Sequence, residues 1–317
     1  MATLTISAEN EKRVKALGFL SNKGTDNFSG RVITVNGKIT SDQIKCIAEA
    51  AQLYGNGIVT MTTRLTIECQ GIPYDKIEDF RNYIAKEGLV TGGTGSKVRP
   101  IVSCKGTTCQ YGLIDTYALS EEIHERFYKG YSDVKLPHKF KIAVGGCPNN
   151  CVKPDLNDLG IIGQRIPNFD EDSCNGCKKC YVAEACPMKA AKIADSILNI
   201  DKDICNNCGR CIGKCHFDVM EDGTIGYKIY IGGRWGKLTA KGKALNKIFT
   251  DKEEALSIIE KTLLLYREKG RTGERLSDTI ERIGFENIEA ELLSNEILER
   301  KDEILQAKLH LVGGATC

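Results

Sequence analysis

Several features are missing from this 317-residue chain. It has no excess of charge: 44 Lys and Arg stand against 42 Asp and Glu, a net +2. Near-balance argues against nucleic acid or an anionic membrane surface as a partner. It has no apolar run approaching the ~20 residues that span a bilayer. The first residues, MATLTISAENEKRVKALGF, lack the apolar core of a signal peptide, so the expected location is cytoplasmic. No flavin or nicotinamide motif stands out. The length suits two domains, or one domain carrying an insertion.

Cysteine is the exception to this plainness. There are 15, and without a signal peptide a disulfide framework is not the expected use. Dense cytosolic thiols are metal ligands or redox groups. Twelve of the 15 fall between Cys104 and Cys215 in close groups, and only Cys46, Cys69 and Cys317 stand apart. The last three read as two buried small hydrophobes and one exposed terminal thiol.

Before the cysteines, residues from about Gly30 to Lys86 alternate strands and helices. RVITVNG reads as a strand and turn, and SDQIKCIAEAAQLYG as a helix with Ser41 as N-cap. IVTMTTRLTIECQG reads as one or two strands, and YDKIEDFRNYIAKEG as an amphipathic helix. TGGTG after it is a flexible or phosphate-like loop, a weak signal. From Val98 to Gly163 comes a second α/β segment with four cysteines. YKIYIGG, beyond a compact Cys-rich stretch at 167–221, is a strand again, so that stretch interrupts a sheet domain. DKEEALSIIEKTLLLYREKG onward is helical with a charged, solvated face.

The stretch 167–221 contains Cys174-x2-Cys177-x2-Cys180-x5-Cys186-Pro187 and Cys205-x2-Cys208-x2-Cys211-x3-Cys215. Short loops let three successive thiolates wrap three irons of a cubane while a distant thiolate closes the fourth corner. Zinc is the plainer reading of CxxC pairs, but eight cysteines in this order resemble bacterial two-cluster ferredoxins, whose fourth Cys serves the other cluster. That resemblance implies one 4Fe–4S cluster on Cys174, Cys177, Cys180 and Cys215, and another on Cys205, Cys208, Cys211 and Cys186. The first run has a longer spacer than usual, and His216 stands where Pro is usual.

Cys104-x4-Cys109 and Cys147-x3-Cys151 suffice for a third cubane. The residues around them carry a further resemblance. VGGCPNNCVKPDLNDLGIIG is similar to the sirohaem-cluster signature of the sulfite and nitrite reductase superfamily. LPHKFKIAV resembles its lysine-bearing active-site strand, MTTRLTIECQGI its TTRQ-type arginine strand, and KVRPIVSC puts an arginine five residues before the first cluster Cys. The insertion point resembles that of anaerobic and dissimilatory sulfite reductase subunits. The superfamily's first Cys pair usually has five intervening residues, against four here, with the ligand count unchanged.

The resemblance implies a sirohaem and three 4Fe–4S clusters. Cys104, Cys109, Cys147 and Cys151 would hold the third cluster, with the Cys151 sulfur bridging to the sirohaem iron. Arg64, Arg99, Lys139 and Lys141 are the implied catalytic cations. Arg64, Arg99, Asn149 and Arg234 are the implied contacts to the cofactor, whose rim carries carboxylates that need cations. His138 reads as packing or rim contact, and Asn150 as a left-handed residue in a position often held by Gly. The expected reaction is six-electron reduction of sulfite, with nitrite as alternative; superfamily nitrite reductases tend to carry Asn where Lys141 stands.

Two rivals from other classes are a non-catalytic iron–sulfur electron-transfer subunit and a sirohaem sensor or assembly protein. Electrons would come from a ferredoxin or a flavoprotein subunit. A single copy of the unit implies a homodimer or pairing with a homologous subunit, because one wall of the cofactor would otherwise face water. The expected fold class is α+β: a ferredoxin-like half-domain (1–92), a sirohaem and cluster domain in two parts (93–166 and 222–270), the inserted two-cluster ferredoxin (167–221), and C-terminal helices (271–317).

Overall fold

The structure is a computed structural model, and it describes residues 6–311; Cys317 lies outside them. The chain divides into two compact units, one of residues up to 103, 118–142 and from 260, the other of 104–117 and 143–259.

The first unit begins with helix α1 (Ala8–Ala16) and strands β1 (Phe19–Ser21) and β2 (Phe28–Ile33). Helix α2 (Ser41–Tyr54), strands β3 (Val59–Met61) and β4 (Ile67–Ile72), helix α3 (Ile77–Ala85) and strand β5 (Val90–Thr91) follow. The sheet runs β1-β2-β4-β3, with β5 on β2, and all pairings are antiparallel. The N-cap of α2 is Thr40, not Ser41. Thr40 accepts from the Gln43 amide, and the Gln43 side chain accepts from the Thr40 amide, which closes a capping box. Ile47, Ala50 and Ala51 of α2 and Phe80 and Ile84 of α3 bury one face on Phe19, Phe28, Val32 and Ile72 of the sheet. Each large side chain buried so contributes roughly 1.5–3 kcal/mol. Cys46 and Cys69 are in this core, and burial pushes the Cys69 thiol up to about 12.

Strand β6 (Val102–Ser103) ends the first continuous part of this unit, and helix α4 (Thr116–Ile123) leads back into it. Strand β7 (Ile142–Gly145) opens the second unit's main run, followed by β8 (Leu159–Pro167). A short helix α5 (Tyr181–Ala185) and the hairpin β9 (Ala191–Ala194) and β10 (Ile197–Ile200) lie before β11 (Gly223–Ile231) and β12 (Lys243–Phe249). The sheet order is β12-β11-β8-β7. β8 and β11 pair from Leu159↔Ile231 to Pro167↔Gly223. The segment 168–222 therefore leaves and re-enters the sheet at paired neighbours, and the sheet closes beneath it without a break. Its core is small: Val182, Ala191, Leu198 and Met220, with cysteines packed against them.

Helix α6 (Lys252–Lys269) departs from expectation. Only its first residues are exposed; Leu256, Ile259, Leu263, Leu264 and Tyr266 are fully buried, as are Lys261 and Thr262. Glu260, Arg267, Glu268 and Lys269 are half-buried, so the helix lies largely in the interior and its charged side is only partly solvated. Helices α7 (Leu276–Ile283), α8 (Phe285–Leu293), α9 (Glu296–Glu299) and α10 (Lys301–Gln306) complete the described chain.

Candidate functional site: a cationic cleft and three cysteine sets

Four stretches of the first unit converge on one cleft of about 190 Å³. Arg31 comes from β2, Arg64 from the β3–β4 turn, and Arg99, Lys139 and Lys141 from two extended segments side by side. Thr62, Thr63 and Thr66 supply hydroxyls to the same wall. Such a volume holds several waters, at about 30 Å³ each, or a small oxyanion.

Arg64 is not on a strand. Thr62 and Thr66 close the turn with mutual backbone and hydroxyl bonds, and Leu65 is left-handed at φ 57°. This puts Arg64 at the tip, where its Nη2 donates to the carbonyls of Pro100 (2.6 Å) and Ile142 (3.1 Å). Lys139 and Lys141 likewise precede β7 instead of lying on it. The extended residues 97–99 and 139–141 run parallel: the Phe140 amide donates to Lys97 O (3.0 Å) and the Arg99 amide to Phe140 O (2.8 Å). Phe140 is fully buried, so the alternation of extended backbone turns both flanking lysines to the opposite side, the cleft. His138 Nδ1 accepts from the Lys139 amide (2.7 Å), so that nitrogen is unprotonated.

Arg31 was not legible as a site residue. Its Nε and Nη2 donate to Glu68 (2.8 and 2.7 Å), and its Nη1 to the carbonyl of Gly93 (3.0 Å). Arg99 Nη1 donates to that same carbonyl, and its buried Nε has no hydrogen-bond partner. Burial first, and the Arg31 charge second, lower the Arg99 guanidinium to about 10. TGGTG thus serves as an acceptor for two arginines; Gly93 needs its positive φ of 74°, and a Cβ there would come within 2.9 Å of Pro100. No carboxylate is among the residues lining this cleft, and five cations crowd it. Glu68 offsets the Arg31 charge from behind the lining, and the cluster as a whole favours an anionic occupant.

In the second unit, two glycines let two cysteine loops touch. A Cβ on Gly106 would sit 2.9 Å from Gly146 Cα, and one on Gly146 the same distance from Gly106 Cα. The loop carrying Cys104 and Cys109 therefore lies directly against the loop carrying Cys147 and Cys151. The Gly146 amide donates to Cys104 Sγ at 3.1 Å. Burial raises the Cys147 thiol, and Cys104, Cys151 and Cys109 add to the rise through their own charge. Cys151 is the exposed member of the four. Asn150 is left-handed at φ 55° and its side chain donates to Asp155 (2.9 Å), which fixes the CPNNC turn; Asn149 is exposed on it. Arg234 is half-buried after β11, its amide bonded to Ala240 O.

Within 168–222, Cys186, Cys205, Cys208 and Cys211 line one small cavity. Burial pushes the Cys211 thiol up to about 11, and Cys205, Cys208 and Cys186 contribute to that rise. Burial also acts on Cys186, but the amides of Ala191, Ala190, Met188 and Lys189 outweigh it and lower that thiol. Cys174, Cys180 and Cys215 pack on the segment's core, and the Leu198 amide donates to Cys174 Sγ (3.4 Å). Among the described residues, no three His, Cys, Asp or Glu side chains converge on a single ion.

The fold is that of a nitrite and sulfite reductase. Residues 94–301 match the nitrite and sulphite reductase 4Fe-4S domain, and residues 21–87 match the nitrite/sulfite reductase ferredoxin-like half domain. The chain belongs to this family. It is 35% identical over 248 residues to the coenzyme F420-dependent sulfite reductase of Methanocaldococcus jannaschii, covering 77% of this chain but 38% of that protein. It is 31% identical to an uncharacterised protein of the same organism, covering 83% of this chain and 90% of that one. Dissimilatory sulfite reductase I superposes with a TM-score of 0.67 at 22% identity, covering 84% of this chain and 69% of that structure. Among the described residues, no helix is long and apolar enough to cross a membrane.

Proposed function

We propose that the protein reduces sulfite to sulfide by six electrons at a sirohaem coupled to a 4Fe–4S cluster. What carries this reading is the cleft of five cations with no lining carboxylate. Such a grouping of cations suits a carboxylate-rimmed cofactor and an oxyanion substrate. In the first unit Arg64 and Arg99 are candidates to hold carboxylates of the cofactor's rim; in the second, Asn149 and Arg234 are such candidates, and Cys104, Cys109, Cys147 and Cys151 would hold the coupled cluster. Cys174, Cys177, Cys180 and Cys215, and Cys205, Cys208, Cys211 and Cys186, would hold two more clusters. When bound, the sirohaem supplies an iron that takes the substrate's sulfur and the clusters a path for electrons.

The chain's own groups do the rest. Arg99 and Arg64 orient the anion with planar donor forks, and the backbone bonds of Arg64 limit its freedom, so little entropy is lost on binding. Lys139 and Lys141 each hold protons at Nζ on the same side and deliver them to oxygens leaving as water. HSO3− takes six electrons and six protons to give HS− and three waters.

Nitrite is the second reading, since the same cations accept any small oxyanion. The electron donor on this account is a ferredoxin or flavoprotein, and the assembly a homodimer or a pair with a homologous subunit. The test is the visible spectrum of anaerobically purified protein with iron analysis. Sirohaem bands and about twelve cluster irons, four per cubane, are expected. An iron–sulfur shoulder alone would return the chain to electron transfer.

A further inference from the structure

The segment 168–222 carries an exposed aromatic and basic patch beside one cysteine set. Tyr181 follows Cys180 and His216 follows Cys215. Their rings meet edge to face at 4.7 Å, and Lys179 Nζ stands 5.1 Å from the Tyr181 ring centre. His216 occupies the place where ferredoxin runs usually carry Pro, and it sets a polar, titratable ring edge to face with Tyr181. Phe217 is 56% exposed and Tyr181 43%. Lys178 and Lys214 flank the patch in sequence and are exposed, like Lys179; none of the three forms an ion pair among the described residues. Exposed Glu184 and Asp218 are the acids nearest in sequence.

We propose that this patch is the docking surface for an acidic electron-carrier protein. Exposed aromatics with Lys179 beside Tyr181, and Lys178 and Lys214 exposed next to them in sequence, suit an interface with an apolar centre and a charged rim. Electron entry needs a carrier to rest beside the group that accepts the electron, and Cys180 and Cys215 adjoin the patch. The lysines steer an acidic carrier to it and set its orientation. The carrier loses one electron at each docking, and six dockings supply one HSO3−. The inference rests on the reading of Cys174, Cys177, Cys180 and Cys215 as cluster ligands.

The test is calorimetric binding of a strongly acidic bacterial two-cluster ferredoxin to the intact holoprotein. The comparison is wild type with the triple variant Lys178→Glu, Lys179→Glu and Lys214→Glu, at low and high salt. The wild type should bind more weakly as salt rises, and the variant about tenfold or more weaker than wild type at low salt. Unchanged affinity in the variant, or no binding by the wild type, overturns the proposal. If the variant loses iron, the set Lys178→Gln, Lys179→Gln and Lys214→Gln carries the same comparison. Sulfite reduction by reduced methyl viologen, which needs no protein dock, should be equal in all; its absence in the wild type would instead count against the catalytic reading.

Discussion

Arg31 and Arg99 donate to one oxygen, the carbonyl of Gly93. Two guanidiniums held on a single acceptor repel each other, and only Arg31 has a carboxylate, Glu68, at its side. Arg99 is the strained partner: buried, lowered to about 10, with an unbonded Nε. It is still protonated at neutral pH. Below about 10 both folded and unfolded chains hold this proton, and the cost of burying the charge is felt in full. Above that, the unfolded chain holds more protons than the folded one, so this group's effect is that stability rises with pH until its ordinary value is reached.

Arg99→Gln should therefore raise the melting temperature, by about 2–4 °C for each kcal/mol relieved. Sulfite affinity should fall about tenfold or more, the worth of a charge-assisted hydrogen bond. Calorimetric melting of the protein without its cofactor, where the Arg99 charge has no added partner, and sulfite titration of the holoprotein check the two. In the wild type, sulfite affinity should drop as pH passes 10.

Gly146→Ala should remove one cubane. The added methyl would press on Gly106 Cα, part the two cysteine loops and displace the amide that donates to Cys104. Iron content should fall by about four atoms per chain, one cubane's worth. The clusters of 168–222 should keep their signal in paramagnetic resonance.

Lys141→Ala should leave the visible spectrum largely intact and cut sulfite turnover by roughly 10²-fold, the usual loss with a positioned acid. Cys151→Ser should instead cost the haem bands. Parental activity in Lys141→Ala would remove the lysines from the mechanism.

What was legible in the sequence was whatever is decided by spacing along the chain. Ligand loops such as Cys205-x2-Cys208-x2-Cys211 are local, whereas Cys186 was joined to them only by the resemblance to two-cluster ferredoxins; in the structure the four line one small cavity. Lys139 and Lys141 share one side because extended backbone alternates whether or not it belongs to a sheet. Their strand, however, begins at Ile142, and Arg64 sits on a turn that a left-handed Leu65 makes tight. Arg31 escaped notice since its role depends on Glu68 and Gly93, 37 and 62 residues away. Helix α6 is less solvated than its pattern suggests because Glu260, at its middle, is half-buried by Tyr131 and Lys301 from distant parts of the chain.

Assembly has its own test. Mixed dimers of Lys141→Ala and Cys151→Ser chains keep about half the activity if the lysines of one chain serve the cofactor of the other, because one site then has both residues intact. If each chain serves its own cofactor, no complete site exists and activity vanishes. A fully active monomer would end the dimer proposal.

The central claim is that sulfite is carried through all six electrons at one site. The direct measurement is the number of reduced methyl viologen molecules oxidised per sulfide released by the anaerobic holoprotein. The account predicts six, with no free intermediate oxidation state of sulfur. Absence of sulfide, or viologen oxidation by nitrite alone, would contradict it.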